Sequence, residues 1–160
     1  METALAAGIA ILGTLLGATL NHLFQKRQAT HANDMATRVQ LREERITAYS
    51  ALANSVADLR GGQLLRWTAR RENQVESDAY AQARSESWRL RTIARSSMYR
   101  VQLVTDDPAF ALQARELVEL TIEILDAVDA DDLNSRAQQS SIATDAFIEE
   151  ARRRLRVDLW

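Results

Sequence analysis

Cysteine is absent from the 160-residue chain, which excludes disulfides, a thiolate nucleophile and any cysteine-based metal site. Proline occurs once and glycine five times, and Phe, Tyr and Trp occur three times each. So few turn-formers and so few aromatics disfavour an all-β or α/β chain and leave a helix-rich composition. Strong net charge is missing as well: the formal charge of −2 disfavours a general nucleic-acid binder, which is usually strongly basic. Histidine is confined to His22 and His31, near the N-terminus, and neither can be brought into a core built by the later helices. This removes the usual Ser/His and His-ligand sites. No Walker loop, GxGxxG, HExxH or GxSxG string occurs in the chain. The expectation is a non-enzymatic protein with no catalytic residue, cofactor or metal.

Charge is also missing from one long stretch, Thr3 to Gln25 (TALAAGIAILGTLLGATLNHLFQ). Its apolar part, Thr3 to Phe24, would be about 33 Å long as a helix, against a hydrocarbon core of about 30 Å. Residues 1–25 are therefore expected to form a single-pass transmembrane anchor. A signal peptide would need a positive region ahead of its apolar run, and only Met1 and Glu2 stand there. All 20 Lys and Arg come at or after Lys26, so the positive-inside rule predicts a cell-membrane protein with its N-terminus outside and its C-terminal domain cytoplasmic. Within the span, Gly13 and Gly17 form a GxxxG pair, with Ala6 and Ala10 on much the same face. Small residues at this spacing let two membrane helices approach closely, which suggests a homodimer; glycine is also simply common in membrane helices. Asn21 and His22, near the cytoplasmic end, read as interfacial residues in contact with membrane lipid rather than as a proton-relay site.

After residue 25 the chain reads as helix nearly throughout. Residues 26–40 are expected to form a helical stalk, and 41–160 an antiparallel bundle of about four helices. Val39, Ile46, Tyr49, Ala53 and Val56 recur at helical spacing, with Leu41, Ala48, Leu52 and Leu59 beside them. Gly61-Gly62 interrupts this helix either as a kink or close helix contact, or as a hinge. A polar run from Thr68 to Asp78 predicts the first turn, with Ser77 as a possible N-cap. The second helix places Ala79, Ala83, Leu90, Ala94, Val101 and Val104 on one face. Asp107-Pro108 predicts a firm boundary, because the carboxylate can cap the next helix while proline fills its first position. The third helix shows Phe110, Leu117, Val118, Ile124, Leu125 and Val128. The acidic junction Asp129–Asp132 supplies a further cap, and the fourth helix carries Leu133, Ala137, Phe147, Ala151 and Leu155. Short connections make sequential helices neighbours, which favours up-and-down order.

Two charged features stand out. Glu116, Glu119, Glu123 and Asp126 lie on one face of the third helix. Di-iron carboxylate bundles need a Glu-x-x-His pair in the core, which is missing here, so a solvated acidic stripe facing Arg84, Arg91 and Arg95 is expected. The second feature is the basic tail: Arg152, Arg153, Arg154 and Arg156, followed by Trp160. It reads either as cations complementing the helix dipole or as a segment that binds anionic lipid or DNA.

Three strings then carry a family likeness: Ala10-Ile11-Leu12-Gly13-Thr14-Leu15-Leu16-Gly17-Ala18, Phe24-Gln25-Lys26-Arg27, and Leu41-Arg42-Glu43-Glu44-Arg45-Ile46-Thr47-Ala48-Tyr49. Together with an arginine excess of 19 over one lysine, they resemble the small actinobacterial membrane proteins called KilB-like. The likeness covers the anchor and the first cytoplasmic helix best. It implies a link to the spread of conjugative plasmids between cells and carries over no functional residue. The expected function is a cytoplasmic helical protein-interaction module on a membrane anchor, linked to plasmid transfer or an envelope assembly, with an unidentified cytoplasmic or membrane protein as partner. The alternative is a membrane-associated regulator acting through the basic tail.

Overall fold

The computed structural model describes the backbone of residues 2–72 and 77–157, and the side chains of residues 35–72 and 77–156. It contains four α-helices and, among the described residues, no strand: α1 (Glu2–Arg71), α2 (Asp78–Val104), α3 (Pro108–Ile122) and α4 (Ala130–Val157). A 3-10 turn, Glu123–Asp126, follows α3 directly. The chain divides into two compact units, residues 1–41 and 42–160.

The helix ends form where short polar side chains can satisfy orphan N–H groups. Ser77 Oγ accepts from the Tyr80 N–H at 3.1 Å. The Asp107 carboxylate accepts from Ala109 at 2.7 Å and Phe110 at 3.3 Å, with Pro108 in the first turn. Before α4, the N–H of Asp132 donates to Asp129 Oδ1 at 2.8 Å, and the Asp132 carboxylate accepts from the Val128 N–H at 3.0 Å. Each cap offsets part of the cost of starting a helix.

The second unit is an antiparallel bundle, and its contacts give the helix directions. Near the start of its α1 segment, Tyr49 meets Phe110 at the beginning of α3 and Phe147 late in α4. Arg45 donates to the Val104 carbonyl at the end of α2, at 2.9 Å. At the other end of α1, Gln63 reaches Ser87 early in α2 and the Ile122 carbonyl at the end of α3. Helices α1 and α3 therefore run one way, and α2 and α4 the other.

Leu52, Val56 and Leu59 of α1 pack with Leu90, Ala94, Met98 and Val101 of α2, Phe110, Leu117 and Val118 of α3, and Phe147 of α4. A second cluster, Trp67, Ile124, Ala127 and Leu133, closes the far end, and Trp67 Nε1 donates to the Ala127 carbonyl at 2.8 Å. Of the pair Gly61-Gly62, the second makes a close helix contact. A Cβ at Gly62 would lie 2.6 Å from Leu90 Cδ1, whereas one at Gly61 would meet nothing within 4 Å. The helix runs through both without a break.

Some expected core positions are corrected. Val39, Leu41, Ile46, Ala79 and Val128 are exposed. Helical period identifies a stripe, but the burial of that stripe in α1 begins only at Ala48-Tyr49. Val128 falls in the connection after the 3-10 turn, beyond the helix that was expected to hold it. Among the described residues no helix is long and apolar enough to cross a membrane. The expected anchor, residues 1–25, and its dimer face of Ala6, Ala10, Gly13 and Gly17 lie outside the residues whose side chains are described.

Candidate functional site

Helix α2 buries one side and presents an unusual opposite one. Ser87, Leu90, Ala94, Ser97, Met98 and Val101 face the core. On the outer face Trp88 is 52% exposed, Tyr99 55% and Leu103 85%. Steps of four and eleven residues keep these three on one face at about 100° per residue. Arginines border the stripe: the Arg91 guanidinium lies 5.5 Å from the Trp88 ring centroid, and Arg89 pairs with Glu86. Tyr80, Ala81, Arg84, Ser85 and Trp88 line an open hollow of about 470 Å³. Large apolar side chains on an outer face, among guanidinium groups that can stack or form forked hydrogen bonds, suit a binding surface. Trp88, Tyr99 and Leu103 lie off the helical core stripe, so the period that marks the core does not mark them; the signal the sequence carries for them is large apolar residues off that stripe.

Charge is unevenly shared between the helices. Residues 78–104 carry five arginines against Asp78 and Glu86, while residues 105–151 carry twelve carboxylates against Arg115 and Arg136. The expected acidic stripe on α3 and its continuation is present, with Glu116, Glu123 and Asp126 exposed. It meets α2 where Arg95 Nη2 lies 3.1 Å from Glu119 Oε1. Among the described residues no group of three or more His, Cys, Asp or Glu is placed to hold a metal ion.

The basic tail is drawn into the end of the bundle. Arg154 pairs with Asp107 at 2.7 Å and with Glu150 at 2.7 Å, and its guanidinium lies 4.7 Å from the Phe110 ring centroid. Arg152 pairs with Glu149 at 3.3 Å, and Arg153 with Glu150. Arg156 is exposed, and Trp160 lies outside the described residues. Arg45 pairs with Asp106 at 2.9 Å on the same end, around an open cleft of about 610 Å³ that Tyr49, Asp107, Glu150 and Arg154 also line. The Arg154 guanidinium and the N–H groups of Ala109 and Phe110 hold the Asp107 carboxyl below its ordinary pKa. These contacts tie α4 to the start of α3 and answer most of the tail's charge locally.

The family profile described as KilB plasmid transfer protein matches residues 46–155, from the start of the α1 bundle segment to the last turns of α4. No curated protein and no solved structure matches the chain. The match lies over the bundle and includes its core, the α2 outer face and the α3 acidic stripe, whereas the strings that carry the resemblance cover the anchor and the first cytoplasmic helix best. With more than two thirds of its length matched, the chain belongs to the KilB plasmid transfer protein family.

Proposed function

We propose that this protein is a non-enzymatic, single-pass membrane component of plasmid transfer, whose helical bundle binds protein partners on the cytoplasmic side. The observation that carries this reading is the outer face of α2, where Trp88, Tyr99 and Leu103 stand exposed among arginines within the family-matched residues. Aromatic and arginine side chains are the residue types most enriched where interfaces concentrate their binding energy. The membrane part rests on the uncharged stretch Thr3–Gln25 and on the cations that begin at Lys26. The alternative, a regulator that binds anionic lipid or DNA through Arg152, Arg153, Arg154 and Arg156, has less support. Its first three arginines are already answered by Glu149, Glu150 and Asp107.

The test is plasmid transfer from cells that carry Trp88→Ala and Tyr99→Ala together, alongside membrane fractionation and a helicity measurement. The expected result is a protein that remains folded and membrane-associated while transfer falls at least tenfold. Transfer at the unchanged level would reject the α2 face as the working surface, and recovery of the unaltered chain in the soluble fraction would reject the anchor.

A further inference from the structure

The basic, aromatic face of α2 and the acidic stripe of α3 lie side by side on one surface of the bundle, joined where Arg95 meets Glu119. On α2 the surface offers Arg84, Trp88, Arg91 and Tyr99; on α3 and the turn after it, Leu112, Glu116, Glu123 and Asp126. Leu112 is 52% exposed, so both stripes have an apolar element as well as their charge. Two neighbouring stripes of opposite sign make a self-complementary surface. A two-fold axis through the α2–α3 seam lays the basic stripe of each copy on the acidic stripe of the other, and both contacts form at once.

We propose that this surface is the contact between two copies of the chain, with α2 of each seated against α3 of its partner. Charge complementarity selects this occupant. A nucleic acid would meet the α2 arginines but would also face the carboxylates of α3 beside them, with like charges opposed. A second copy satisfies both stripes and covers Trp88, Tyr99 and Leu112 together. The proposal rests on the interaction reading above and deepens it by naming the partner.

The test uses the full-length chain, expressed in two differently tagged forms in the same cells. A photoreactive residue replaces Thr92, which is exposed on α2. After nuclease treatment of isolated membranes, the expected crosslink bridges the two tags, and its captured peptide comes from residues 108–126. Reversing one stripe in both copies, as Arg84→Glu with Arg91→Glu or as Glu116→Arg with Glu123→Arg, is expected to lower the crosslink at least tenfold. Combining one copy of each reversed form restores it, because every contact is then again between opposite charges. That rescue also shows that neither variant has simply failed to fold. A crosslink absent after nuclease treatment, captured outside residues 108–126, or indifferent to either reversal would overturn the proposal. If the crosslink fails while the Trp88 and Tyr99 changes still abolish transfer, the self-contact is wrong and the interaction reading stands. If transfer is unaffected by those changes, the interaction reading falls on its own.

Discussion

Individual side chains decide how this bundle closes. Phe110 and Phe147 stack with centroids 4.9 Å apart, and Tyr49 meets Phe110 edge-on at 5.1 Å. Three helices are thus joined by three rings in a chain with few aromatics. Phe147→Ala is expected to cost about 3–5 kcal/mol, a large part of the stability of an ordinary domain, and to be seen as a lowered denaturant midpoint. A polar residue is equally specific at the other end of the core. Buried Gln63 accepts from Ser87 Oγ at 2.8 Å and donates to the Ile122 carbonyl at 3.2 Å. Gln63→Leu leaves both partners without it and is expected to cost about 1–3 kcal/mol; adding Ser87→Ala should recover part of that loss in a double-mutant cycle. The aromatic residues could be read from the sequence as core candidates. Gln63 could not, because a glutamine on a helix is ordinarily a surface residue and only its partners on α2 and α3, Ser87 and the Ile122 carbonyl, make it an interior one.

The helices show why boundaries were readable and some faces were not. Asp107-Pro108 marks the start of α3 through chemistry that two adjacent residues contain by themselves. Its partner Arg154, 47 positions away, is supplied only by the fold. Because Arg154 and the helix N–H groups hold the Asp107 carboxyl below its ordinary pKa, its contribution to stability is present above the unfolded value. That contribution is lost as pH falls through the folded value, so the window lies below about pH 4. Asp132, held down by the Val128 N–H and then by Arg136, acts in the same direction. Thermal melting from pH 6 to pH 3 should therefore show a fall in stability that is shallower for Asp107→Asn, a variant already weaker at pH 6. Glycine position matters in the same way. Gly61→Ala enters open space and is expected to stabilise by about 0.5–1 kcal/mol, because alanine is the better helix former. At Gly62 the added methyl meets Leu90, so Gly62→Ala should lose that gain and melt below Gly61→Ala.

Taken whole, the second unit holds both core clusters, the caps of α2, α3 and α4, and both opposed stripes. A chain starting at residue 42 is expected to unfold cooperatively, with coincident circular dichroism and tryptophan fluorescence transitions; non-coincident transitions would show that residues before 42 are needed for folding. The sequence by itself determined the helical class, the cap at Asp107 and most of the buried stripe. These depend on composition, on the 3.6-residue period and on contacts between residues close in the chain. It also carried enough likeness to suggest the family that the profile match over residues 46–155 then showed. Only the tertiary structure decided that Ile46 and Val128 stay exposed, that Gln63 is interior and that the tail arginines meet Glu149, Glu150 and Asp107. It alone set the Trp88 face of α2 beside the acidic stripe of α3. The physical reason is the same throughout: a helical period says which residues share a face, while burial and pairing depend on which other helix arrives to cover that face.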